Sequence, residues 1–411
     1  MNMWRSPNRP AGAGEEGLSP TQQVNLQVLE QALREQWNLG QQIMLCWRTT
    51  ARGLSLLAVP HHELGHLARA EEGSDRADRL TLLNARFVSQ LIAGPRRLSP
   101  EDFAGAARRL ELVPVHVDLP LGLAEHPAVL QAAEELVRRY SISHVPHRAV
   151  LLLDIVGFSL HPPLEQASQL NSLTCSLNAA CSQLRNHQPG IELLRTTTGD
   201  GFYVWNRDSS PRGNLELFQF LLLVMADNAL ARRQARIHNV PRLRGAYHIG
   251  SHYEFCHVDG LAPTLHPYIV GEVTIELARL LEQAGPGQIL VGEFTTRLPT
   301  SRREGAYLLE LDSQRFVERV NRGLLALQDL ELSGQRVKGL HCFLSGEPGA
   351  SAGQVLRRYR IVDKHGRSRH AYNLRVNIHT EGRPIILGMQ TRPVRRHRGS
   401  RRQGEAFLGA D

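Results

Sequence analysis

Apolar residues along this chain fall into runs with two different periods. From Thr21 to about Trp37 they recur at helical spacing, with Ser19 or Thr21 as a cap and Gly40 as a stop. Residues 42–120 mix short apolar runs with helical stretches, and another helix is expected from about His126 to Tyr140. Ser143 to His147, with Pro146 inside it, reads as a boundary. Arg148 to Ile155 reads as a buried strand, because Ala149, Val150, Leu151, Leu152 and Leu153 are apolar without a break. A polar helix from about Leu164 to His187 follows. Then comes a hairpin, with arms Ile191 to Thr197 and Phe202 to Trp205 around the turn Gly199-Asp200-Gly201. A long amphipathic helix is expected from roughly Asn214 to His238, a strand from Leu243 to Ile249, a helix from Val273 to Gln283, and strands at Gln288 to Val291 and Val337 to Leu344. That order implies an α/β (α+β) sandwich, with helices packed on a largely antiparallel sheet.

Composition changes the picture little. The chain has 411 residues, 42% hydrophobic and 21% charged, enough for two or three ordinary globular domains. The expected divisions are a disordered Gly-, Pro- and Ser-rich start (1–20), a mixed N-terminal domain (21–145), a central domain (146–347), a small β-rich segment (350–390) after Ser351-Ala352-Gly353, and a basic tail (391–411). Net charge is +8, with an acid-free arginine cluster at Arg392, Arg395, Arg396, Arg398, Arg401 and Arg402. No aromatic residue interleaves with it, so a solvated tail is expected and nucleic-acid binding is not. Cys46, Cys175, Cys181, Cys256 and Cys342 are scattered and form no CxxC pair, which suits a reducing compartment. The N-terminus has no secretory pattern, and the apolar run Leu215 to Met225 is short for a membrane span. A cytoplasmic protein without membrane contact is the expectation.

Chemistry enters with two acids. Asp154 ends the apolar strand just before Gly157, where burying a charge is costly unless something pairs with it. Asp200 sits between glycines in a turn, which on its own is ordinary turn chemistry. A strand end and a neighbouring hairpin turn can bring two carboxylates together, and two like charges that close call for a cation. Hard divalent ions favour such oxygens together with phosphate oxygens, and a pair of ions suits phosphoryl chemistry.

The segments Asp154-Ile155-Val156-Gly157-Phe158-Ser159 and Thr198-Gly199-Asp200-Gly201-Phe202 resemble the metal motifs of class III adenylate and guanylate cyclases. The strand from Leu243 to Gly250, the stretch from Tyr268 to Leu280, Gly285 to Leu290, and Val337 to Leu340 follow in the family's order, so the resemblance runs from about residue 147 to 345. It implies a cyclase-like α/β domain in which Asp154 and Asp200 ligate two metals, Mn²⁺ or Mg²⁺, per active site, with the backbone carbonyl of Ile155 as a further ligand. Val156, Gly157 and Phe158 would lie under the triphosphate. Arg279 would stabilise charge on the transferring phosphoryl group, and Lys338 would meet the terminal phosphates. It also implies a homodimer with sites between the protomers.

The chain departs from the purine-cyclase pattern at the base. Thr196 stands at the usual lysine position, Tyr268 at the usual acid position, and Ile275 where an asparagine usually precedes the arginine. Pycsar pyrimidine cyclases, which make cyclic UMP or cyclic CMP, depart in this way. Tyr359 to Gly366 and Ala371 to Leu374 resemble their C-terminal AGS-C sensor module. This implies UTP as substrate, cyclic UMP as a second messenger to a separate effector in antiphage defence, and Arg195, Thr196 and Tyr268 as base contacts. A cytidylate or purine cyclase, and a non-catalytic nucleotide sensor, stay open.

A competing motif is His62-Glu63-Leu64-Gly65-His66, an HExxH that on a helix presents His62 and His66 to zinc with Glu63 as base. The residues from Leu82 to Ile92 faintly resemble the helix after HExxH in ImmA/IrrE-like metallopeptidases. However, Leu80 stands where the third ligand is expected, and Asp78 and Glu71 are at the wrong spacing. A degenerate or structural domain is therefore expected there.

Overall fold

A computed structural model describes residues 18–68, 86–123, 126–236, 239–258, 265–302, 305–327, 329–348, 354–362, 366–388 and 406–409. The chain divides into two compact units, Met1–Val145 with Tyr253–Ile269, and Pro146–His252 with Val270–Asp411.

The first unit contains α1 (Pro20–Trp37), β1 (Gln42–Thr50), β2 (Gly53–Pro60), α2 (His61–Ala68), α3 (residues 86–93), α4 (Pro100–Leu110), β3 (Val115–Asp118) and α5 (Pro127–Arg139). Ser19 caps α1 through a reciprocal bond with Gln22, which fixes the start that the periodicity implied. The three strands pair antiparallel in the order β1-β2-β3. Alternation along β2 sends Leu54 and Leu56 to a core with α1 and α5, and Leu57 and Val59 to a second core with α3 and α4. Helices thus cover both faces of this sheet.

The second unit is built on a larger sheet. Its elements, in order, are β4 (Ser143–Ile155), α6 (Pro163–His187), β5 (Leu193–Thr197), β6 (Gly201–Asn206), α7 (Pro211–Gln234), β7 (Leu243–Val258), α8 (Glu272–Gln283), β9 (Ile289–Gly292), β10 (Thr295–Arg302), β11 (Gly305–Asp312) and α9 (Ser313–Leu324), while β8 (Leu265–Val270) up to Ile269 and the end of β7 from Tyr253 fall in the first unit. After them come β12 (Leu330–Leu332), β13 (Gln335–Val337), β14 (Gly339–Leu344), β15 (Gly346–Pro348), β16 (Gln354–Leu356), β17 (Arg358–Val362), β18 (Ser368–His379), β19 (Ile385–Leu387) and β20 (Ala406–Gly409). The main sheet follows the path β20-β17-β18-β9-β7-β4-β6-β5, with β14 and β19 on other stretches of β18 and β8 on β7. Neighbours are mostly antiparallel; β7 with β9 and β17 with β20 are parallel. The expected mixed α/β class is therefore what the chain adopts.

Each face of this sheet has its own cover. Leu151, Leu153, Ile155, Val204, Tyr247, Ile289, Val291, Leu374 and Val376 point into one large core with α6, α7 and α9. The alternate residues face the other way, where α8 lies with Val273 beside Gly250. Asp154 and Arg244 belong to that second face, because Ile155, Leu153 and Tyr247 belong to the first.

Several expectations shift. The stretch Ser143 to His147 is the beginning of β4, and the division between the two units falls within it, after Val145; Pro146 is tolerated because it is exposed and precedes the stretch that pairs with β6. The strand expected to end at Ile249 continues to Val258. Val337 to Leu344 is split at Lys338 into β13 and β14. Helix α7 is buried nearly all round rather than amphipathic, because the sheet, α6 and α9 enclose it. It is long and apolar enough to span a membrane, but 83% of its most apolar window is buried inside the protein, as befits a core helix. The β-rich segment 350–390 is not set apart. Its strand β18 joins β9 directly, with Ala371 opposite Gly292 and Leu374 opposite Ile289, so main-chain hydrogen bonding makes it part of the same sheet. Residues 1–17 and the arginine cluster at 392–402 lie outside the described residues.

Candidate active site

The site begins at the end of β4. Register pairs Asp154 with Gly201 across β4 and β6, and the turn before β6 carries Asp200. Ile155 donates its backbone N–H to the carbonyl of Asp200 at 3.0 Å, which ties the strand end to the turn. Gly201 lets the two backbones approach: a Cβ there would lie 1.9 Å from the Leu153 carbonyl oxygen. Gly199 takes the left-handed conformation at φ +100°, and its N–H bonds to Thr197 Oγ1 at 3.1 Å. The two acids proposed from sequence are thus brought together by strand register and a glycine turn.

Asp154 is buried, with 5% of its surface exposed. Burial raises its pKa above the ordinary aspartate value. The Arg244 guanidinium opposes that rise through a hydrogen bond and its charge, and the neighbouring Asp200 carboxylate adds to it. Arg244 Nε donates to Asp154 Oδ2 at 2.6 Å, and its Nη1 donates to the Ala284 carbonyl at 3.3 Å. Sequence reasoning gave Arg244 no role. Its signal was an arginine inside an otherwise apolar strand, but the partner becomes visible only once β7 is placed beside β4.

The loop after Asp154 is held by main-chain bonds. Val156 donates its N–H to the Arg242 carbonyl at 2.8 Å, and Gly157, at φ +73°, opens a short 3₁₀ turn at Phe158–Leu160. Phe158 packs against the main core. Helix α8 carries Arg279, whose Nη1 pairs with Glu282 at 2.7 Å. Two contacts pin this helix. Tyr203 donates its hydroxyl to the Thr274 carbonyl at 3.1 Å, and Arg369 of β18 pairs with Glu276 at 2.5 Å.

Other candidates fall elsewhere. Lys338 precedes β14, with its ammonium 3.7 Å from Glu381. Strands β18, β9 and β7 lie between its strand and β4, so one chain does not bring it to Asp154. Arg195 and Thr196 are neighbours on β5 and so face opposite ways. Register puts Thr196 with Tyr203 and Leu152 on the face of Asp154. Arg195 goes with Val204 and Leu151 on the other face, its guanidinium over the Phe202 ring. Within one chain, Arg195 therefore lies on the sheet face opposite to Asp154. Tyr268 belongs to the first unit, exposed, with its ring against Phe255.

The HExxH lies on a helix as expected. His62 Nε2 and Glu63 are 3.8 Å apart and both well exposed. The side chain of His66, and all of Glu71, Asp78, Leu80 and Leu82 to Ala85, lie outside the described residues. Among the described residues, no group of three or more His, Cys, Asp and Glu side chains is gathered for a metal. A metal at Asp154 and Asp200 would therefore draw its remaining oxygens from main chain, ligand and solvent.

No family model matches the chain, and no curated protein does. Among solved structures, it is similar to the guanylate cyclase domain of RhGC from Catenaria anguillulae in complex with GTP, at 15% identity and TM-score 0.30, over 42% of this chain and 98% of that one. It is similar to the guanylyl cyclase Cya2 at 11% identity and TM-score 0.32, over 56% and 92%. It is also similar to the adenylyl cyclase CyaB from P. aeruginosa at 16% identity and TM-score 0.30, over 43% and 98%. At these values the functional reading rests on the residues themselves.

Proposed function

We propose that the chain is a nucleotide cyclase that converts a pyrimidine triphosphate, UTP, to cyclic UMP and pyrophosphate. One observation carries the reading: the carboxylates of Asp154 and Asp200 meet at the ends of neighbouring strands, one of them buried, with a cation already drawn to it. Structural acids rarely gather like this, since each raises the cost of ionising the other.

The donor set fits a hard divalent ion. It offers two carboxylates and the nearby Ile155 carbonyl. Asp154, Asp200 and the Ile155 carbonyl would hold Mn²⁺ or Mg²⁺, two per site; such ions activate a hydroxyl and neutralise a leaving pyrophosphate. In the proposed reaction the ribose 3′-hydroxyl gives its proton to solvent, its oxygen bonds to the α-phosphorus, the bond from that phosphorus to the oxygen bridging to the β-phosphate breaks, and pyrophosphate leaves. The turn at Val156, Gly157 and Phe158 would lie under the triphosphate. Arg279 would stabilise charge on the transferring phosphoryl group, and Lys338 would hold the terminal phosphates. The separation of Lys338 from β4 within one chain supports a homodimeric site, in which Asp154 comes from one protomer and Lys338 and Arg279 from its partner. Thr196 and Tyr268, in place of a purine-reading lysine and acid, support a pyrimidine base. Release of cyclic UMP to a separate effector in antiphage defence belongs to the same proposal and follows from the resemblance alone.

The test is incubation of the full chain with each of ATP, GTP, CTP and UTP and Mn²⁺. The expected products are cyclic UMP and pyrophosphate from UTP, with none from Asp154→Asn or Asp200→Asn. Cyclic AMP or cyclic GMP as the main product overturns the pyrimidine assignment. Binding of triphosphate without turnover of any of the four overturns the enzyme.

A further inference from the structure

We infer that Arg244 competes with the divalent cation for Asp154, so that the metal site is closed by the chain's own guanidinium until metal displaces it. This rests on the metal reading above and adds a residue that sets the cation threshold. Three observations carry it. Arg244 Nε lies 2.6 Å from Asp154 Oδ2, at direct contact. The Asp154 side chain is 7% exposed, so few other partners reach it. The two residues stand on neighbouring strands and on the same face, so the contact is set by sheet register rather than by a wandering side chain.

Charge explains why the pair forms. A buried carboxylate beside a second carboxylate needs compensation, and breaking such a pair leaves an uncompensated charge. A guanidinium supplies one positive charge and is always protonated. A hard divalent ion would use the same Oδ2 as a ligand. A guanidinium and a divalent ion within about 4 Å of each other repel strongly in a partly dry site. Entry of the ion therefore requires Arg244 to withdraw, and the Ala284 carbonyl, already 3.3 Å from its Nη1, is an acceptor it keeps on the way. Arg279 and Lys338 differ in this respect: their carboxylate partners, Glu282 and Glu381, are exposed. Arg244 is thus a positioning residue, which holds the Asp154 carboxyl aimed before metal arrives.

The test is a titration of the full-length protein with Mn²⁺ alone, without nucleotide, at pH 8, reading free Mn²⁺ by its paramagnetic resonance signal. The high pH keeps Asp154 ionised when its partner is changed. Arg244→Met keeps much of the apolar stem and removes the charge. It is expected to bind Mn²⁺ about tenfold tighter than the parent, the worth of one charge-assisted bond. Arg244→Lys, with a point charge in place of the fork, is expected between the two. Asp154→Asn is expected to bind more weakly than the parent. Unchanged or weaker binding by both Arg244 variants, with binding still lost in Asp154→Asn, overturns the competition and leaves the metal site standing. Parent-like binding by Asp154→Asn removes the metal from Asp154 and overturns both. Should Arg244→Met fail to melt cooperatively, the Mn²⁺ affinity of Arg244→Lys decides between competition and its absence.

Discussion

Asp154 carries a charge that its surroundings resist. Its pKa is raised because burial disfavours the carboxylate more than Arg244 rescues it. The sign follows from linkage: an acid with a folded pKa above its unfolded value costs stability once pH exceeds the unfolded value, and the cost is absent in acid. Asp154→Asn is therefore expected to melt above the parent at pH 7.5, with the gain shrinking toward pH 3.5, as followed by thermal unfolding in metal-free buffer. A variant that melts lower at neutral pH would show that the ion pair outweighs burial. Such a residue, kept at a cost in stability, is what a working site requires. His248 gives the opposite slope. It is wedged against Gly292, its Nδ1 is buried without a hydrogen-bond partner, and burial lowers its pKa from 6.5 to about 4, with Glu272 raising it and His147 lowering it. The folded protein refuses a proton that the unfolded chain accepts, so stability falls from about pH 6.5 down to about pH 4. At pH 5 this amounts to ~2 kcal/mol. His248→Gln is expected to flatten the pH dependence of the melting temperature between pH 7 and 5; an unchanged slope would assign the acid sensitivity elsewhere. The acids were legible in the sequence because each sits in a short local motif. Arg244 was not, since its role depends on which strand lies beside which.

Elements follow the same division between local and distant. The strand–helix–hairpin order from β4 to β6 was readable because apolar runs, caps and glycine turns are local signals. The ends of β7 and the enclosure of α7 were not, because both depend on what packs around them. The clearest case is β18. It lies in a segment read as β-rich, but its neighbour β9 lies far back in the chain, and nothing local says that the two pair. Strand β18 is bonded to β9, β14, β17 and β19, so it joins several pieces of the sheet. Ending the chain after Gly346 removes it and leaves β9 and β14 with bare edges, which invite pairing with other chains. The shortened protein is expected in the insoluble fraction, without a cooperative melt. A soluble, cooperatively melting product would make β18 an attachment to a sheet that stands without it.

At the scale of the whole molecule, the proposed homodimer would divide the proposed catalytic residues between copies. Asp154→Asn and Arg279→Ala are each expected to be inactive alone, because each damages every site of its own homodimer. Mixed in equal amounts and allowed to exchange, they form mixed dimers with one intact site. Random pairing then restores about a quarter of the parent activity. Sedimentation checks that the copies exchange; no recovery after exchange would place Asp154 and Arg279 in the same protomer's site.

The pairing of β18 with β9 also bears on how the protein is made. A ribosome delivers residues 289–292 well before residues 371–374, which flank them in the finished sheet. Through that interval the nascent chain holds a strand with one side open. The sheet of this unit thus cannot close until residues 371–374 are made, and until then the open strand edge is exposed to wrong pairing.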